Sequence, residues 1–93
     1  MAIALDSKIA KTDQCILAEA DDDLVLLSLA DGRFYALKET GRRAWELLDE
    51  HSTLSTLVSA MQLEFEIDNE TCARELTDLL MSLKEREFIT VVD

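Results

Sequence analysis

The sequence predicts an α+β domain: a three-stranded antiparallel sheet followed by three helices. Three observations predict it. Up to Leu37 the apolar residues come in short runs separated by turn signals. After Leu37 the apolar period changes from about 2 to about 3.6. The helical stretches that follow are divided only by short polar breaks carrying Ser, Thr or Asp, the residues that cap helix starts.

The elements follow in order. Residues 1–13 show no period and read as an irregular arm. Residues 14–20 (QCILAEA) alternate weakly, as a strand does. Asp21-Asp22-Asp23 is a turn, since Asp favours turn geometry. Residues 24–29 (LVLLSL) are short, apolar and bounded by turn residues, which fits a strand buried on much of both faces. Asp31-Gly32 is a two-residue hairpin signal, so residues 33–37 (RFYAL) return as the third strand. Phe34 and Tyr35 would place one ring on each face.

Residues 39–50 set Ala44, Trp45, Leu47 and Leu48 on one helical stripe, with Arg42, Arg43, Glu46 and Asp49 opposite. Trp45 on that stripe reads as a core anchor. Ser52-Thr53 caps the next helix, whose stripe is Leu54, Leu57, Val58, Met61 and Phe65. Asp68 caps the third, with Glu70 in the first turn and Lys84 and Arg86 at the end, as the helix dipole favours. Its stripe is Cys72, Leu76, Leu79, Leu80 and Leu83. Residues 88–92 (FITVV) close the chain as a short strand or tail. No break is long enough for a second domain, so residues 1–93 read as one.

Composition narrows the function. Twenty acids against nine bases give a net charge of −11, which repels phosphate backbones and argues against nucleic acid. The single His51 lies beside a cap and has no acid placed to orient it, so catalysis is not expected. One His with two distant Cys cannot close a tetrahedral metal site, and the Asp21–Asp23 run lacks the Gly and distal Glu of a calcium loop. No cofactor or metal is expected. Asp6-Ser7 is followed by Lys8 in the arm, which does not match the Asp-Ser-Leu of an acyl carrier. No basic segment leads into an apolar core at the start, and the longest apolar run is Leu24 to Leu27. A cytoplasmic protein with two reduced thiols, Cys15 and Cys72, and no membrane partner is expected.

Two features point toward binding. Arg33, Lys38, Arg42 and Arg43 form a basic cluster, either paired with neighbouring acids or free to meet an acidic peptide. The third strand would be a sheet edge guarded only by Arg33. The residues alone favour cover by a helix or the C-terminal segment; the alternative is a peptide added as a further strand.

Residues 31–48 (DGRFYALKETGRRAWELL) and 80–89 (LMSLKEREFI) resemble, in that order, the two halves of the PqqD family pattern. Two positions depart: Lys38 stands where the family usually has Asn, and Glu87 where it usually has Gly. The first bears on how the helix start is capped, the second on how the last helix ends.

The resemblance implies a RiPP recognition element, a domain similar to a winged helix-turn-helix that binds peptide rather than DNA. It implies that the leader of a ribosomally made precursor lies as an extra strand against the third strand, in a groove shared with the third helix. The carried-over positions are Arg33, Phe34, Tyr35, Ala36 and Leu37 on the strand and Glu75, Asp78, Leu79 and Ser82 on the helix, although Leu79 on its own periodicity reads as core. The implied partners are the precursor leader peptide and a maturation enzyme. The enzyme would be a leader peptidase as in lasso-peptide pathways, or a radical SAM enzyme as in quinone-cofactor pathways. The carrier itself would be a monomer or weak dimer. A winged-helix DNA regulator shares the architecture, but the third helix carries more acids than bases.

Overall fold

In the computed structural model, which describes residues 3–92, five strands and three helices follow one another. They are β1 Lys8–Lys11, β2 Cys15–Ala20, β3 Asp23–Ser28, β4 Phe34–Leu37, α1 Glu39–Leu47, α2 Leu54–Glu64, α3 Asn69–Glu85 and β5 Ile89–Val92. The predicted α+β order is observed. β2, β3 and β4 form an antiparallel sheet in that order. β1 and β5 form a second, two-stranded one.

β3 is the centre of the larger sheet, and its residues alternate between buried and half-buried. Leu24, Leu26 and Ser28 face the helices and are buried; Val25 and Leu27 face the other way. Leu24 lies opposite Leu37, and Leu26 opposite Tyr35. The core gathers these residues with Trp45, Leu57, Leu76, Leu80, Leu83 and Phe88. Trp45 is buried, as its stripe predicts.

Two helix starts behave as read. Thr53 accepts from the Thr56 backbone N–H at 3.2 Å, and Asp68 from that of Thr71 at 2.7 Å. Lys38, by contrast, offers no side-chain cap to α1, because an ammonium cannot accept a hydrogen bond. At the end of α3 the Phe88 N–H donates to the Leu83 carbonyl and the Glu87 N–H to that of Lys84, both at 3.0 Å. That pairing is the Schellman closure, and it puts Glu87 at φ 63°, where glycine sits without strain.

Two expectations need correction. The irregular arm contains β1: Lys8 pairs opposite Val92 and Lys11 opposite Ile89, while Ile3 and Ile9 enter the core. The strand has only one buried position, too few for a visible period, and its partner is the far end of the chain. Met1 and Ala2 of that arm lie outside the described residues. The two-residue hairpin is instead a five-residue connection, Leu29 to Arg33. The Ser28 N–H donates to the Arg33 carbonyl across it, and the Gly32 N–H to the Ser28 carbonyl, both at 2.9 Å. Asp31 accepts from the Arg33 N–H at 3.0 Å, and Gly32 takes φ 73°. Asp-Gly marked the turn correctly, but Asp31 caps the loop from inside it.

Candidate functional site

The site is built on β4. This strand pairs with β3 on one side and, among the described residues, with no other strand on its second side. The Ser28–Arg33 bond fixes which backbone groups are free. In an antiparallel ladder, hydrogen-bonded and non-bonded pairs alternate. Arg33, Tyr35 and Leu37 therefore direct their backbone groups to β3, and Phe34 and Ala36 direct theirs to the open edge. Side chains alternate the other way. Leu37 is buried, Tyr35 half-buried, and Phe34 and Ala36 are exposed.

Tyr35 ties the edge to the end of α3. Its ring meets Phe88 edge-on, with centroids 6.5 Å apart and planes 80° apart. The Arg86 guanidinium carbon lies 4.7 Å from the Tyr35 centroid, a cation–π arrangement. The sequence placed Arg86 only as a base at the helix end and Phe88 only at the start of the closing strand, neither at the site. The signal available was the position of both just beyond an amphipathic helix.

Further up α3, Glu75 and Leu79 help line a cavity of about 190 Å³. Thr40 and Gly41 at the start of α1 close one side, and Phe65, Ile67 and Leu76 close others. Glu75 is the only acid in this lining among the described residues. Leu79 is half-buried and packs against the core, as its stripe predicts. Asp78 is exposed and Ser82 half-buried on the same helix. The structure thus brings Glu75 and Leu79 to one hollow, while Arg33 stays exposed in the loop before β4. Buried Cys72 shares that hollow; burial first, then Glu75 and Asp68, raises its thiol pKa. A thiol held protonated there behaves as a small apolar lining group.

The basic cluster resolves into ion pairs. Arg42 meets Glu19 and Glu46, and Arg43 holds Glu64 through two bonds of 2.7 and 2.9 Å. Lys38 lies 3.5 Å from Asp23. The Arg43 hydrogen bonds hold the Glu64 carboxyl below its usual range. Arg33 makes no ion pair among the described residues. Among the same residues no group of three His, Cys, Asp or Glu is placed to hold a metal ion, and no helix is long and apolar enough to cross a membrane. What the arrangement offers chemically is an unpaired strand edge and, apart from it, an apolar hollow lined by the helices and without any residue of β4.

Comparison with known proteins bears on this edge. Residues 23–89 match the family model described as coenzyme PQQ synthesis protein D, PqqD. No curated protein matches the sequence. Two solved structures are similar throughout. One is TbiB1 in complex with the TbiA(beta) leader peptide: 34% identity, TM-score 0.76, over 85% of this chain and 92% of that one. The other is lasso peptide synthetase B1 complexed with the leader peptide: 25% identity, TM-score 0.76, over 89% of this chain and 98% of that one.

Proposed function

The chain belongs to the PqqD family, and from that premise we propose that it binds the leader segment of a ribosomally made precursor by strand addition. The observation that carries this reading is the open edge of β4 beside the end of α3, in a chain similar to two proteins solved with leader peptides. The leader's backbone pairs with Phe34 and Ala36, which supplies affinity independent of side chains. Specificity comes from Arg33 and Tyr35 on the strand side and Glu75, Asp78, Leu79 and Ser82 on α3, while the buried Leu37 anchors the strand to the core. The whole chain acts as one peptide-binding domain, itself without catalysis, in the cytoplasm.

The bound precursor is presented to a maturation enzyme. The likeness to a lasso peptide synthetase B1 favours a leader peptidase; the PqqD description favours a quinone-cofactor pathway as the second reading. Titration with the leader peptides of cognate precursors tests the first step. Low-micromolar or tighter binding to one of them is expected. Failure to bind any of them would remove the proposal.

A further inference from the structure

Backbone bonds at an open strand edge hold a peptide without choosing its register, because every second residue of the peptide offers the edge the same donor and acceptor. A side-chain contact must fix which residue of the bound strand lies opposite which residue of β4. The start of β4 carries the groups for one. Leu27 lies opposite Phe34, so the Ser28–Arg33 backbone bond puts Arg33 opposite Ser28, on the face turned to the helices. Tyr35 is the next residue on that face. The Arg86 guanidinium lies over its ring from the end of α3, 4.7 Å from the centroid. Two exposed arginines from separate elements thus flank one tyrosine. Their fields overlap at Asp31. Its carboxyl is held below the ordinary range first by the Arg33 backbone N–H, and the Ser28 side chain and the charges of Arg33 and Arg86 act in the same direction. One Asp31 does not neutralise two arginines, and its Oδ1 is turned to the Arg33 backbone N–H within the loop. Neither guanidinium makes an ion pair among the described residues, Glu85 and Glu87 beside Arg86 included.

We propose that Arg33 and Arg86 together form a carboxylate subsite, which takes one Asp or Glu side chain of the bound leader and so sets its register on β4; the proposal rests on the peptide-binding reading above. A strand added antiparallel, as β2, β3 and β4 are to one another, places one residue directly across from Tyr35. Tyr35 directs its own backbone to β3, so this outer pair is of the close, non-bonded kind, with Cβ atoms about 4.5–5.5 Å apart. The leader side chain there shares the face of Tyr35 and Arg33. An acid at that position has the Arg86 head beside it over the tyrosine ring. Arg33 stands on the diagonal, about 7–8 Å away, a gap that the length of an arginine spans. Guanidinium groups match a carboxylate in shape and charge, which a neutral amide does not reproduce. A slip of one residue would turn the acid to the outer face. A slip of two toward Leu37 would carry it toward Thr40 and Gly41, where Glu75 repels it.

The test uses the full chain and the labelled leader peptide of its own precursor, with each acid of the leader exchanged in turn for its amide. One exchange is expected to weaken binding to the wild-type chain about tenfold, the worth of a close charge pair. The same exchange should cost little further in Arg33→Gln and in Arg86→Gln, whose partner charge is already gone. Arg33→Glu should bind the unaltered leader more weakly still and regain affinity when that one acid is made Lys. A purely structural role for the arginines would lower affinity for every leader variant alike, without this coupling, and that result overturns the subsite. A leader that has no acid, or none whose exchange changes affinity, also overturns it and leaves the peptide-binding reading standing. Arg33 is exposed in the loop before β4, so its variants decide the question even if Arg86→Gln fails to fold. A wild-type chain that binds no leader overturns the peptide-binding reading and this inference together.

Discussion

Arg86 lies over the ring of Tyr35, its guanidinium carbon 4.7 Å from the centroid, while Phe88 meets the same ring from the side. The contact ties the end of α3 to the edge strand. Arg86→Ala is expected to cost about 0.5–1 kcal/mol of stability, the range of a cation–π pair near the surface. Leader affinity should fall with it, because the free protein would have to order the groove on binding. Urea unfolding and peptide titration read the two effects separately. Arg86→Lys keeps the charge and should lose less of both.

The open backbone groups of β4 belong to Phe34 and Ala36. Ala36→Pro removes one outward N–H and leaves the ladder to β3 intact, as proline is tolerated on a free edge. Leader affinity should drop about tenfold, the worth of one interfacial backbone hydrogen bond left unmade. The melting temperature should move little. Tyr35→Pro, one residue earlier, removes a ladder bond to β3 and should destabilise the fold itself. Equal leader affinity in Ala36→Pro and wild type would argue against strand addition at this edge.

Glu87 holds a left-handed backbone at φ 63° to close the Schellman motif. A side chain there costs about 1–2 kcal/mol relative to glycine. Glu87→Gly is therefore expected to stabilise the protein by about 1 kcal/mol, partly offset by the greater freedom of glycine in the unfolded chain. Thermal unfolding measures it. The Thr12 hydroxyl donates to the Glu87 carbonyl at 2.6 Å, and this backbone bond should survive the change.

Glu64 and Asp68 should make stability acid-sensitive. Hydrogen bonds from Arg43 to Glu64, and from the Thr71 backbone and side chain to Asp68, lower both carboxyl pKa values from their ordinary 4.5 and 3.8. A carboxyl with a lower pKa in the folded state stabilises fully above its unfolded pKa, and that contribution fades as pH falls through the folded value. The melting temperature should accordingly be level near neutrality and decline below about pH 4. Glu64→Gln and Asp68→Asn should each start lower at neutral pH and decline less steeply in acid.

Glu75 and Asp78 stand one turn apart on α3, both exposed. Reversing both, Glu75→Lys with Asp78→Lys, should weaken leader binding and leave the fold intact, since neither has an ion-pair partner among the described residues. Unchanged affinity would place the leader elsewhere than over this stretch of α3.

Local chemistry accounts for most of what could be read from the sequence. Thr53 and Asp68 announced helix starts because caps are short-range, and the stripe Leu76, Leu80, Leu83 announced a buried face because its period is intrinsic to the helix. β1 stayed hidden because a single buried residue, Ile9, carries no period and its partner strand is distant in sequence. The hollow at Glu75 and Leu79 was half legible. The two α3 positions came from the resemblance, but Thr40, Gly41, Phe65 and Ile67 meet them only through packing. The basic cluster could not be assigned from spacing alone. Its partners Glu19 and Glu64 lie on other elements, and only the fold brings them within reach of Arg42 and Arg43.

Lys8 pairs with Val92 and Lys11 with Ile89, so the last strand is held by one from the opposite end of the described residues. Neither strand can come away without undoing the other's backbone bonds, and the ribbon acts as a clasp that couples the beginning of the fold to its end.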